Sequence, residues 1–103
     1  NFITNKKVSA QSIYINRNTK ISEIDNKIVL IENADPGYDW IFSRSIGGLI
    51  TAYGGSNSHM AIRCVELSIP AAIGCGERMF EKLKNSGVIY LNCNEKLLKI
   101  IEW

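Results

Sequence analysis

A single histidine, His59, directly follows the run Gly54-Gly55-Ser56-Asn57-Ser58 in a chain of 103 residues. The run holds enough glycine for unusual backbone angles and enough Ser and Asn to cap a helix, so it reads as a loop that turns into a helix at His59. A helix N-terminus presents unpaired N–H groups and a partial positive charge, and both favour an anion in the space beside it. A neutral imidazole placed there has a nitrogen lone pair for attack on phosphorus, and would carry the resulting phosphoryl group into a ready anion site. Gly54 and Gly55 would let the backbone approach a phosphate with no Cβ in the way. Ser56, Asn57 and Ser58 could orient the ring or donate to phosphate oxygens, and Arg63, one turn along, could pair with transferred charge.

The same residues admit other chemistries. A lone histidine near a Gly-Gly turn can equally cap a helix or fill a polar gap, and spacing alone favours that structural role. A serine nucleophile at Ser56 or Ser58 needs a separate histidine base, whereas His59 is adjacent and already in the loop. Cys64, Cys75 and Cys93 with His59 could suggest a metal site, but the cysteine spacings of 11 and 18 residues match no zinc pattern. An odd cysteine count without C-x-x-C points instead to reduced, partly buried thiols, and no metal is expected.

The elements that must hold this loop are strand-rich, since sixteen residues are isoleucine. Val8 to Ile15 reads as a half-buried strand, with Asn16-Arg17-Asn18 as the turn after it. Ile28 to Ile31 is a continuous apolar run of strand length, fit for a central strand covered on both faces. Asp35 and Pro36 look like the N-cap and first position of a short helix with Tyr38, Ile41 and Phe42 on its apolar face. Gly48 to Ala52 is a second buried strand leading into the loop. The helix after it should span His59 to Leu67, with Ala61, Ile62 and Val65 inward and Arg63 and Glu66 outward, and end before Pro70. Ala71 to Ile73, Gly87 to Leu91 and Leu97 to Ile101 are further strand candidates. Between the first two of these, Glu77 to Lys84 is a helix with Met79, Phe80 and Leu83 at helical spacing and a dipole-matched charge order.

With 46% hydrophobic and 21% charged residues the chain has the composition of one ordinary globular domain over residues 1–103. A net charge of +2, clustered nowhere beyond Lys6-Lys7, gives no footing for nucleic acid or an anionic membrane. The apolar stretches are strand-sized, far short of the ~20 residues of a membrane helix, and the start lacks the pattern of a secretory signal. A cytoplasmic protein is expected. The first residue is Asn1, which suggests a piece of something longer.

From Gly48 to Gly74 the sequence GLITAYGGSNSHMAIRCVELSIPAAIG closely resembles the mobile, phosphohistidine swivelling domain of the PEP-utilising enzymes. That family includes phosphoenolpyruvate synthase, pyruvate phosphate dikinase and rifampin phosphotransferase. Its signature is a strand ending in Thr, then G-G-x-x-S-H-x-A-I, a helix, and G-I-P-A before a further Gly. Thr51, Gly54, Gly55, Ser58, His59, Ala61, Ile62, Ile69, Pro70, Ala71 and Gly74 match it. The segment KIVLIENADPGYDWIFSR upstream and the final strands extend the resemblance over nearly the whole chain, and favour strand for Leu97 to Ile101. Three positions depart from the pattern. Val65 stands where Arg is common, with Arg63 two residues earlier; Asn57 replaces a frequent Thr; Ser68 replaces the usual Gly.

The resemblance implies an α/β fold, a three-layer β/β/α swivelling domain whose His59 is phosphorylated on Nε2 by an ATP-grasp nucleotide-binding module. The group would then pass to pyruvate, water or another small molecule at an acceptor domain. Thr51, Gly54, Gly55, Ser56, Asn57, Ser58 and Arg63 would surround the phosphate. No cofactor is expected on this domain; ATP and Mg belong to the nucleotide-binding part, since no P-loop occurs and 103 residues cannot also hold an ATP-grasp fold. Such a domain is the phosphocarrier of a dikinase-like phosphotransferase and should not turn over alone. Two alternatives stay open. One is a phosphoenolpyruvate-dependent carrier like that of the sugar phosphotransferase system, whose extra helical insertion is not visible here. The other is a non-catalytic docking module on the same fold, which would have had no need to keep the histidine.

Overall fold

The two faces of a central run of parallel strands organise the molecule. The structure, a computed structural model, describes residues 1–16 and 18–103, so Arg17 of the expected Asn16-Arg17-Asn18 turn lies outside the described residues. Among the described residues there are seven strands: β1 (Phe2–Ile3), β2 (Lys7–Tyr14), β3 (Ile28–Asn33), β4 (Gly48–Tyr53), β5 (Ala71–Ala72), β6 (Val88–Asn92) and β7 (Leu97–Glu102). Two α-helices, α1 (His59–Leu67) and α2 (Glu77–Lys84), and two 3-10 segments, Ile21–Glu23 and Pro36–Ser43, complete the fold.

The strand order β1-β5-β4-β3-β2-β6-β7 makes one mixed sheet, curled into a half-barrel. Strands β2, β3, β4 and β5 run parallel, whereas β1, β6 and β7 add antiparallel pairs at the two sides. Residues Ser12 to Tyr14 of β2 pair with β3, while Lys7 to Gln11 pair with β6, so one strand joins the parallel sheet to an antiparallel wing.

Side chains of β3, β4 and β5 point alternately to two cores. Val29, Ile31, Leu49 and Ala71 pack with Met60, Ala61 and Cys64 of α1 and Ile41 of the longer 3-10 segment. Ile28, Leu30, Ile50, Ala52 and Ala72 pack with Phe80 and Leu83 of α2 and with Ile89, Leu91, Leu98 and Ile100 of the β6–β7 wing. These are the expected three layers, with α1 on one side of the parallel sheet and the wing on the other. Each fully buried Ile or Leu contributes roughly 1.5–3 kcal/mol, so the continuous apolar run of β3 is the natural centre of both cores.

Several expectations need adjusting. The strand β1 and the Ile21–Glu23 segment were not foreseen, because two or three residues carry no readable period. Residues Pro36–Ser43 form a 3-10 helix and not an α-helix, although Asp35 does cap it, accepting from the Gly37 N–H at 2.9 Å. On α1 the inward residues are Met60, Ala61 and Cys64, while Ile62 and Val65 are 52% and 59% exposed. Positions 60, 61 and 64 and positions 61, 62 and 65 are the same helical face shifted by one residue, about 100°. Hydrophobicity favoured the second set; packing chose the first.

Candidate functional site

The loop between β4 and α1 is built on a hydroxyl and two glycines. Thr51 is fully buried near the end of β4, its Oγ1 donating to the Tyr53 carbonyl and accepting from the Gly74 N–H, both at 2.9 Å. Gly54 has φ of +128°, and a Cβ there would lie 2.7 Å from the Ala34 Cβ; Gly74 has φ of +74°, and a Cβ there would lie 2.4 Å from the Gly54 carbonyl oxygen. These glycines let two chain segments touch backbone to backbone. Around Gly55, by contrast, a Cβ would meet nothing within 4 Å, so the space above the loop is open.

Ser56 and Asn57 form the exposed tip of a turn closed by the Ser58 N–H donating to the Gly55 carbonyl at 3.0 Å. Ser58 then caps α1: its backbone is extended, and its hydroxyl accepts from the Ala61 N–H at 3.3 Å. His59 is the first residue of the helix, and its side chain remains 44% exposed. With Met60, Ala61 and Cys64 sunk in the core, the roll of α1 is fixed, and His59 and Arg63, four residues apart, share the outer face.

Both of these side chains meet a third residue that sequence reasoning missed. Asp39 Oδ1 lies 2.8 Å from His59 Nε2 and 3.3 Å from Arg63 Nε. The hydrogen bond from His59, with the Arg63 charge adding to it, holds the Asp39 carboxyl below the usual carboxylate range, so at neutral pH it is ionised. An ionised carboxylate only accepts, so Nε2 carries the proton of this bond. Arg63 also reaches Glu66 Oε1 at 3.3 Å, and its guanidinium lies 5.4 Å from the centre of the Phe42 ring.

The 3-10 geometry explains why Asp39 and Phe42 both face Arg63. With three residues per turn, side chains three apart eclipse, so positions 39 and 42 form one row. Tyr38, Ile41 and Phe42 do face the core as expected, but that reading gave Asp39 no role. An acid three residues before an aromatic, just after an Asp-Pro start, was the available signal.

Of the residues expected around a phosphate, Gly55, Ser56, Asn57 and His59 are exposed, and Ser58 and Arg63 are half-buried. Thr51 is buried beneath the loop, and Gly54, itself exposed, sets the close approach to Ala34 and Gly74 at its base. The three cysteines are free thiols, and Cys64 lies wholly in the core, where burial pushes it up to about 12. Among the described residues no cluster of three or more His, Cys, Asp or Glu side chains could hold a metal ion, and no helix is long and apolar enough to cross a membrane.

A curled mixed sheet with an exposed histidine opening a helix after a Gly-Gly loop defines a recognisable class, and comparison with known families agrees. Residues 23–96 match the family described as PEP-utilising enzyme, mobile domain, and the chain belongs to that family. Among curated relatives, the phosphoenolpyruvate synthase of Neisseria meningitidis serogroup B is 33% identical over 78 residues, covering 72% of this chain and 10% of that protein. Those of Escherichia coli K12 and Aquifex aeolicus are 31% and 32% identical over 68 and 71 residues, covering 66% and 69% of this chain and 8% of each relative. The chain therefore spans about a tenth of the length of the relatives it matches.

Proposed function

We propose that this chain is the phosphohistidine carrier of a dikinase-like phosphotransferase, in which His59 takes a phosphoryl group from ATP on an ATP-grasp module and passes it to a small-molecule acceptor on another domain. The observation that carries this reading is the placement of His59: a solvent-facing imidazole at the first position of a capped helix, over open backbone, with Arg63 one turn behind it. The helix N-terminus favours the phosphoryl oxygens, and Arg63 supplies a guanidinium with the geometry to pair with them. Forming a nitrogen–phosphorus bond splits one difficult transfer into two, so donor and acceptor can be served by separate pockets. The small size of the chain relative to its phosphoenolpyruvate synthase relatives supports partners within a longer protein, and the name of those relatives makes pyruvate a natural acceptor.

In this reading Thr51, Gly54 and Gly74 are positioning residues, which hold the loop from below. The decisive experiment incubates the parent protein with ATP labelled at the β or γ phosphate. Acid-labile, base-stable label on the protein is expected, and its position in ATP identifies the phosphate transferred. Label that persists in a His59→Ala variant would sink the assignment; label from phosphoenolpyruvate but not from ATP would move the protein to the other donor class.

A further inference from the structure

Asp39 raises a difficulty for transfer to Nε2 of His59, the nitrogen that the family resemblance implies, and the geometry itself resolves it. A ring nitrogen bearing a proton has its lone pair in the aromatic system and cannot attack phosphorus. In this structure Nε2 is held in that state by the ionised Asp39 at 2.8 Å. The same oxygen engages Arg63 Nε at 3.3 Å, so the nucleophile and its nearest guanidinium are both occupied by one carboxylate. Asp39 is 47% exposed, on a 3-10 segment anchored by Ile41, so its side chain is free to swing into solvent.

We propose that Asp39 is a latch on the carrier histidine: it caps Nε2 in the resting domain and must be exchanged for the incoming phosphoryl group, which inherits Arg63. This rests on His59 being the phosphoryl acceptor. The exchange balances as follows. Asp39 leaves, Nε2 gives its proton to water and the ring takes one at Nδ1. The freed Nε2 lone pair forms the nitrogen–phosphorus bond while the bond from phosphorus to the leaving group breaks, its electron pair departing with that group. The released Arg63 can then pair with the phosphoryl oxygens. A phosphorylated Nε2 has no proton to offer Asp39, and two anions would face one another, so the latch does not close again until the group has been passed on.

Phosphoramidate, a small phosphoryl donor that loses ammonia, tests the latch on the 103-residue chain without ATP or any partner. The chain has one histidine, so phosphorus NMR need only separate the Nε2 product, whose rate of formation reports the latch, from the Nδ1 product, whose rate does not. Opening a charge-assisted hydrogen bond before each reaction should slow it, so Asp39→Asn is expected to react about tenfold faster than the wild type. Glu66→Gln removes an equal charge that touches Arg63 but not the ring, and should react at the wild-type rate. High salt, which screens steering of the anionic reagent, should leave the Asp39→Asn advantage in place.

A second readout is the Nε2 proton resonance, protected from exchange in the wild type and lost in Asp39→Asn with the amide spectrum otherwise unchanged. An Asp39→Asn rate within twofold of wild type, a slower rate as expected had Asp39 assisted proton removal, or an equal gain in Glu66→Gln would each overturn the latch. Failure of the carrier reading is separate, since it shows as labelling by ATP that survives loss of His59 whatever phosphoramidate does.

Discussion

Replacing Gly74 by Ala tests whether the histidine loop is held by direct backbone contact. Gly74 has φ of +74°, and the new Cβ would sit 2.4 Å from the Gly54 carbonyl oxygen, inside the 3.0 Å that real Cβ contacts respect. Forcing an L-residue into left-handed backbone costs roughly 1–2 kcal/mol. Relieving the clash means prising apart two main-chain segments, at about 1–3 kcal/mol, comparable to overpacking a core. The combined loss should be about 3 kcal/mol, a fall of about 12–24 °C in Tm for a domain of this size. Urea and thermal unfolding followed by circular dichroism would measure it. Gly55→Ala is the matched control: its Cβ meets nothing within 4 Å, so it should stay within about 0.5 kcal/mol of the wild type. If Gly74→Ala lost less than about 1 kcal/mol, the backbone contact would not be what braces the loop.

Three further outcomes follow from the same geometry. Ser68 ends α1 with φ of 57° and ψ of 39°, a left-handed cap that glycine adopts freely, so Ser68→Gly should raise stability by about 0.5–1 kcal/mol in the same unfolding assays. At pH 8 a thiol reagent should leave Cys64 unmodified in the folded chain, since it is fully buried and its thiol is pushed up to about 12 by burial, while urea exposes all three cysteines; fast native labelling of Cys64 would contradict the core. Because the His59 hydrogen bond is the largest cause lowering Asp39, the Asp39 carboxyl in His59→Gln should titrate at higher pH than in the wild type. The contact belongs to the ionised form, so it is intact above the usual carboxylate range and is lost as pH falls through the lowered value, which carboxyl NMR can follow.

Much of the frame was legible because its signals are periodic or chemically specific. The apolar run at Ile28 to Ile31, the Asp35-Pro36 start and both α-helices fell where the residues placed them, since caps and continuous burial leave direct marks. The roll of α1 was not legible, as two apolar faces one residue apart compete and only the shape of the core decides between Met60–Cys64 and Ile62–Val65. His59 stood out by its loop, but its partner did not. Asp39 lies twenty residues away on a segment whose three-residue turn the pattern did not reveal, so the acid that reaches the ring looked like ordinary solvated surface. Thr51 carried the opposite ambiguity: a loop-adjacent hydroxyl can face a phosphate or the protein, and here the Gly74 N–H claims it from within.

The shared strand β2 also says something about time. Its two ends pair with β3 and with β6, so Ser9 meets Tyr90 only after most of the chain exists, and β1 waits likewise for β5. Pairings this remote in sequence are slow to nucleate, because a large loop must close before any contact rewards it. On a ribosome the apolar strand β3 would be exposed for several seconds before its second cover, the β6–β7 wing, is made. The loop bearing His59 is also unfinished until Gly74 reaches Thr51 and Gly54. A truncated or stalled chain that ends before Gly74 therefore carries the histidine without the brace that aims it.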